Sequence, residues 1–539
     1  MKITKHFVTV GNRRVHYHRA GDGPAVVLLH ASPCSAKVLR LPLETFAQRF
    51  TAIAFDTPGF GLSDLLPMAQ PETEDLADAL ADTLAALGIE QAAAYGRHTG
   101  AQIAVEFAAR HRQRCAMALT DGFPIFSAET KKARLESYLA PIVPSFDGGH
   151  LLWLWFRYRD QHVFWPWNEQ RLSHRADSDV PDLDFLHRGV IELLEAGDSY
   201  RVVYATAYRH RGLEALRDLK VPVCFGARPG DNQLKTLQQF PQGTWTQEMP
   251  RDARAAALAE LEILTRHPAK ASPPAAPACA ALAGRSTTDY VDVDGAQMLV
   301  RSVGRLHEPV IIVHHAPGSS ALYDELVRAI GAKHPALAFD LPGHGESDPL
   351  GPQSIAAWTD ALLKLLDRML IGAVHLYGHN GGAAVAVEAA LRAPRRIRTL
   401  LVDAPIAVEK AVADGWLKGV EPVTPAWNGE HLLRVWHMRR DMELWWPWYD
   451  RRRENARAVE PRIDPARLTI EVGEAMKRPA SFAPAWRAVM EYPMRRRLAE
   501  VGKAVVFSSR QDVFARCVPQ AQFVVDTAQA KADFILQHL

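Results

Sequence analysis

The sequence predicts an α/β fold built twice, each copy a mainly parallel sheet flanked by helices and carrying a helical insertion. Three observations support this. Short continuous apolar runs alternate with helical periodicities, the same ordered segments recur 281–284 residues apart, and each copy holds a glycine-flanked stretch between a strand pattern and a helix pattern.

In chain order, Met1-Lys-Ile-Thr-Lys-His leads directly into a strand-like pattern without a signal-peptide core. Apolar runs follow at Ala25–Leu29, Ala52–Phe55, Ala92–Tyr95, Ala116–Leu119 and Val221–Phe225, short and continuous like strands buried on both faces. Helical periodicity falls between them, at Thr73–Leu87 and Ala101–His111. The second half repeats the order with Val310–Val313, Ala336–Phe339, Ala373–Tyr377, Thr399–Val402 and Ala504–Phe507. The repeat is collinear: Pro33 matches Pro317 at an offset of 284, His98 matches Asn380 at 282, and Trp165-Pro-Trp167 matches Trp446-Pro-Trp448 at 281. Slips of one or two residues are what duplication followed by loop trimming leaves. An Ala/Pro-rich stretch, 268–286, separates the copies, because proline runs form extended spacers. The expected domains are therefore 1–267 and 287–539, with insertions at about 125–215 and 405–495.

The bulk composition excludes several function classes. Lys+Arg number 63 against 61 Asp+Glu, so no polyanionic partner such as nucleic acid is expected. No apolar run approaches the roughly 20 residues of a membrane span, so no membrane partner is expected either. Five dispersed cysteines fit reduced thiols and a cytoplasmic location, and none stands at the glycine-flanked turn. No His/Asp/Glu triplet has metal-ligand spacing and no Gly-x-Gly-x-x-Gly follows a strand, so neither metal nor other cofactor is expected.

Three motifs recur in each half. They are His30-Ala31-Ser32-Pro33 and His314-His315-Ala316-Pro317, Asp56-Thr-Pro-Gly-Phe-Gly61 and Asp340-Leu-Pro-Gly-His-Gly345, and Tyr95-Gly-Arg-His-Thr-Gly100 and Tyr377-Gly-His-Asn-Gly-Gly382. As an ordered set they resemble the α/β-hydrolase superfamily, whose nucleophile elbow is a strained strand-to-helix turn that exposes its central side chain. The resemblance implies backbone oxyanion donors near Ala31, Ser32 and Thr99, with second-half counterparts near His315, Ala316 and Gly381. It also implies an acid in a late loop, at Asp231 and Asp512, with Asp121 as a further carboxylate able to reach the site. The elbow serine is absent twice, replaced by His98 and Asn380. The family's late histidine is absent as well, so an ordinary Ser-His-Asp esterase is excluded.

His98 is well suited to move protons near neutral pH, with Asp231 as the carboxylate behind it. Asn380 offers only hydrogen bonds, so the second domain is expected to support or bind. The insertions resemble the helical caps of many such hydrolases, and His150–Arg171 shares ten identities in 22 positions with His431–Arg452, enough to align the two caps. Arg159 and Asp160, with Trp165, Trp167 and His30, are candidates for a substrate pocket, while packing and a structural ion pair remain open for the cap residues. The sequence thus supports an atypical enzyme acting by hydrolysis or lyase/isomerase-type proton transfer on a small carbonyl- or ester-bearing hydrophobic molecule. The alternative is an inactive pseudoenzyme that binds a ligand or partner. The two domains are expected to pack as an internal pseudo-dimer.

Overall fold

A computed structural model describes residues 2–509, 518 and 521–539 of the chain. Its contacts form two units, one running through Val143 with Trp153–Ala280, the other made of Pro144–Leu152 with Ala281–Leu539. Pro144–Leu152 thus groups with the second unit, although the sequence repeat places it in the first domain.

The first unit holds an eight-stranded sheet: β1 (Thr4–Val10), β2 (Arg13–Ala20), β3 (Ala25–Leu29), β4 (Thr51–Phe55), β5 (Ala92–Arg97), β6 (Cys115–Asp121), β7 (Val223–Ala227) and β8 (Thr246–Glu248), in the spatial order β1-β2-β4-β3-β5-β6-β7-β8. The β1–β2 and β2–β4 pairs are antiparallel and the rest parallel. The parallel strands β3, β4 and β7 are buried at every position, which is why they read as unbroken apolar runs. The second unit repeats the order with β9 (Thr287–Val293), β10 (Ala296–Val303), β11 (Val310–Val313), β12 (Ala336–Phe339), β13 (Val374–His379), β14 (Ile397–Asp403), β15 (Val505–Ser508) and β16 (Gln522–Phe523).

The insertion between β6 and β7 is helical, with the helices Gly149–Asp160, Leu183–Ala196 and Tyr200–Arg209. One cap carboxylate reaches the His30–Pro33 loop region, where Glu192 Oε2 accepts the Ser35 N–H at 2.9 Å. The second unit has a comparable tie, with Ser319 Oγ donating to Glu474 at 2.5 Å.

The elbow glycines are dictated by space. A Cβ on Gly96 would lie 2.1 Å from the Gly100 carbonyl oxygen, and one on Gly100 would lie 2.2 Å from the Leu29 carbonyl oxygen. The helix Thr99–Arg110 can therefore press directly against β3, and ten of its residues, Thr99 through Ala108, are buried. Gly100→Ala is predicted to lower stability by about 2 kcal/mol or more, because the obstruction is backbone that cannot rotate away. Denaturant unfolding of the full chain, followed for loss of the first transition, measures this.

Candidate active site

β5 ends at Arg97 and the next helix begins at Thr99, leaving His98 alone at the bend with φ 48° and ψ −107°. A non-glycine residue held at positive φ stores on the order of 1–3 kcal/mol, strain that persists where the surrounding fold enforces it. Asn380 occupies the equivalent bend with φ 50° and ψ −114°.

His98 Nε2 lies 2.7 Å from Asp231 Oδ2, and the Gln233 N–H donates to Asp231 Oδ1 at 2.8 Å. Both carboxylate oxygens are thus fixed. Burial alone would raise the Asp231 pKa, but His98 and the Gln233 amide outweigh it and hold the group at about 2 against an ordinary 3.8. Burial likewise opposes a charged His98, and the neighbouring carboxylate overcomes that, raising its pKa above 6.5. Because Nε2 faces a carboxylate, it is the nitrogen that carries the proton in the neutral ring, which leaves the lone pair of that form on Nδ1. Among the described residues Nδ1 has no hydrogen-bond partner. Gly122, which follows β6, lies against this contact. A Cβ there would sit 3.1 Å from His98 Nε2 and 3.3 Å from Asp231 Oδ2, at φ +78°.

His98 and Asp231 open onto a cavity of about 350 Å³, a size suited to a small organic molecule. Its floor includes Ala31 and Ser32; cap residues His162, Trp165, Phe185 and Tyr204 face them, and Arg97 and Arg228 stand beside the pair. The Thr99 N–H occupies the first position of its helix, where no intrahelical acceptor exists. A larger depression of about 590 Å³, between Lys2, His6, Arg19 and Ala275, is open surface remote from the elbow and carries no comparable chemistry.

Several sequence candidates stand elsewhere. His30 is buried, with Nδ1 donating to the Ala31 carbonyl at 2.9 Å and Nε2 accepting the Thr57 N–H at 3.0 Å, so it shapes the loop instead of lining the pocket. Asp121 is fully buried behind the elbow and ion-paired to Arg97 at 2.9 Å and Arg228 at 2.8 Å. Arg159 and Asp160 pair with each other at 3.2 Å, and Arg159 lies over the Phe156 ring, outside the cavity lining. Trp167 Nε1 donates to the Tyr138 carbonyl and its ring packs on Arg157, leaving Trp165 as the motif's cavity residue.

Sequence reasoning missed His162. It sits against Tyr158 and Phe185, and its Nε2 is enclosed without a partner. Burial, reinforced by nearby Arg157, Arg97 and His98, lowers its pKa to about 4, so it faces the cavity as neutral imidazole. Its only advance signal was its position three residues before Trp165 in the repeated cap segment, where the second copy has Glu443. Cys34 also lines the cavity, and burial pushes its thiol up to about 12, which leaves it inert as a nucleophile.

The second domain spends its polar groups internally. Asn380 Oδ1 accepts the Gly381 N–H at 3.1 Å, occupying the amide that matches the Thr99 donor. The Val489 side chain covers Gly381, approaching to 2.7 Å of where a Cβ would stand. His315, Tyr323 and His379 form a closed chain, with the Tyr323 hydroxyl 2.9 Å from His315 Nδ1 and 2.7 Å from His379 Nδ1. Ala404 replaces Gly122 and adopts φ 47°. Asp512 lies outside the described residues.

The family model of the alpha/beta hydrolase fold matches the chain twice, over residues 24–146 and 308–431. The chain belongs to the α/β-hydrolase superfamily. It is 29% identical over 131 residues to the dihydrolipoyllysine-residue acetyltransferase component of the acetoin cleaving system of Cupriavidus necator, covering 24% of this chain and 35% of that protein. It is 32% identical over 111 residues to the soluble epoxide hydrolase of a Corynebacterium species, covering 21% and 38%. The chain therefore spans little more than a third of these relatives. Epoxide hydrolase A of Mycobacterium thermoresistibile aligns in structure at 17% identity with a TM-score of 0.39, covering 49% of this chain and 98% of that one. No helix among the described residues is long and apolar enough to cross a membrane, and no group of three or more His/Cys/Asp/Glu among them could hold a metal. Against the superfamily scaffold, the elbow of the first domain keeps its bend and its free amide but presents imidazole joined directly to the late-loop carboxylate.

Two predictions concern this pair. The Asp231 contribution to stability is present above pH 3.8 and lost as pH falls towards about 2, while the His98 contribution is complete below pH 6.5 and lost as pH rises through its higher folded value. Asp231→Asn is therefore predicted to cost on the order of 2 kcal/mol, with the deficit largest between those limits and shrinking on either side. Unfolding of both proteins across pH 3–9 reads the difference. Gly122→Ala should cost about 1–2 kcal/mol from its backbone angle and also push His98 from Asp231, so that the His98 pKa falls back towards 6.5. An NMR titration of the imidazole protons, assigned with His98→Gln, measures that fall.

Proposed function

We propose that the first domain is the catalytic half of an atypical α/β-hydrolase-superfamily enzyme, with His98 as general base acting on a small carbonyl- or ester-bearing molecule in the cavity. The observation that carries this reading is the divided state of the His98 ring: Nε2 is bound to Asp231 at 2.7 Å while Nδ1 is free beside the cavity. Nδ1 takes a proton from a carbon next to a carbonyl, or from a water that attacks it, and Asp231 stabilises the imidazolium that results. The developing oxyanion meets backbone N–H groups near Ala31, Ser32 and Thr99. His162, neutral and on the cap side, offers a hydrogen bond to another polar atom of the substrate without adding charge. The second domain serves as support or as a binding domain, a role favoured by the Asn380 side chain occupying the Gly381 amide.

The test incubates the full chain with small ketones, keto acids and esters in D₂O and in H₂¹⁸O, read by mass spectrometry. Deuterium at the carbon beside a carbonyl reports proton transfer, and ¹⁸O in a product acid reports hydrolysis. His98→Ala is predicted to reduce the rate by about 10²–10⁴-fold at unchanged melting temperature. An unimpaired His98→Ala overturns the mechanism, and ligand-induced stabilisation without exchange or product establishes binding alone.

A further inference from the structure

We propose that Arg97 anchors a carboxylate of the substrate, so that the molecule presented to His98 is a small carboxylic acid carrying a second carbonyl, such as a keto acid or a half-ester. The inference deepens, and rests on, the reading of this cavity as the reaction site.

Arg97 is the last residue of β5 and directly precedes the elbow histidine. A guanidinium presents five N–H donors in one plane. Nε lies 2.9 Å from Asp121 Oδ2, while no hydrogen bond holds the terminal nitrogens among the described residues. The side chain lines the cavity and is 30% exposed. Its terminal N–H groups therefore face open space next to the reacting atom.

Neutralising Asp121 does not require Arg97. Arg228 Nη2 reaches the same carboxylate oxygen at 2.8 Å and also meets Glu260 at 3.0 Å. Burial, together with Asp121, raises the Glu260 pKa, so this carboxyl tends to hold its proton. Asp231 is matched by His98. Two guanidiniums thus stand over Asp121 and a carboxyl biased towards neutrality, which leaves positive charge beside the cavity.

The duplicated half supplies an internal control. Asp403, the counterpart of Asp121, is fully buried and among the described residues meets one cation, Lys531 at 3.1 Å, with the Tyr377 hydroxyl donating at 2.8 Å. The residue matching Arg97 there is His379, tied into the closed chain with Tyr323. An arginine at this strand end thus occurs in the half that has the free base and the cavity, and a histidine in the other. A planar two-oxygen anion fits a guanidinium fork, and the aromatic walls Trp165, Phe185 and Tyr204 suit the organic remainder.

The test measures calorimetric binding of pyruvate, phenylpyruvate and benzoate to the full chain at neutral pH, each against its neutral methyl ester. At least one acid is expected to bind about tenfold or more tightly than its ester, the scale of a charge-assisted fork. Arg97→Gln should level acid and ester, Arg97→Lys should keep only part of the preference, and His98→Gln should keep it. The proposal is overturned if every ester matches its acid, or if Arg97→Gln retains the preference. Should Arg97→Gln fail to fold, an acid-to-ester ratio in Arg97→Lys equal to that of the wild type overturns it. An acid preference without turnover leaves the anchor standing and removes the catalytic reading. Turnover abolished by His98→Ala without any acid preference does the reverse.

Discussion

The hydrogen bond from His98 to Asp231 sets what the first domain is able to do, and the sheet explains why it forms. β5, β6 and β7 are adjacent and parallel, so the residues that follow them emerge at one edge. Neighbouring strands are about 4.8 Å apart, which separates the ends of β5 and β7 by roughly 10 Å. A serine at the elbow would be too short to reach a carboxylate there and would need an intervening base. The longer imidazole closes the gap itself, so the missing late histidine leaves no break in the chain of contacts. The strand between them must then contribute nothing bulky where it ends, and Gly122 stands there.

The two halves show how few substitutions separate an open site from a closed one. Both keep the strained bend, the loop histidine that hydrogen-bonds its own loop, and the buried aspartate after the strand following the elbow. With Asn380 the side chain folds back onto the Gly381 amide, and the cap valine Val489 settles over that glycine. Ala404 is compatible with this arrangement because no imidazole has to cross the position that Gly122 leaves clear. Scaffold conservation and site conversion are therefore separable here.

The fold was legible because its determinants are local and repeated. Buried parallel strands announce themselves as apolar runs, and glycines at close backbone approaches occur in fixed order with prolines and histidines. The His98–Asp231 pair was legible for the same reason, as both residues occupy motif positions. The cap was not. Its contribution depends on which face of each helix meets the cavity, and Trp165, Trp167, Arg159 and Asp160 recur together whether they line a pocket or pack beneath it. Asp121 was placed too near the site because the sequence shows a carboxylate at a strand end but not the two arginines that enclose it. His162 and Arg97 carry no motif of their own, and what marks them is an unmet hydrogen-bonding capacity visible only once partners are counted in three dimensions.

Burial also selects which cavity group can respond to pH. Desolvation penalises every charged form, sending the Cys34 thiol up to about 12 and the His162 imidazole down to about 4. Asp231 resists only because His98 and an amide hold it, and it remains ionised down to about 2. None of these groups changes state near neutrality. His98 is shifted the other way, because its carboxylate raises it against the same desolvation. The environment that makes the cavity attractive to an organic molecule thus also favours the neutral forms of Cys34 and His162, while the Asp231 carboxylate favours the charged form of His98 against that same burial.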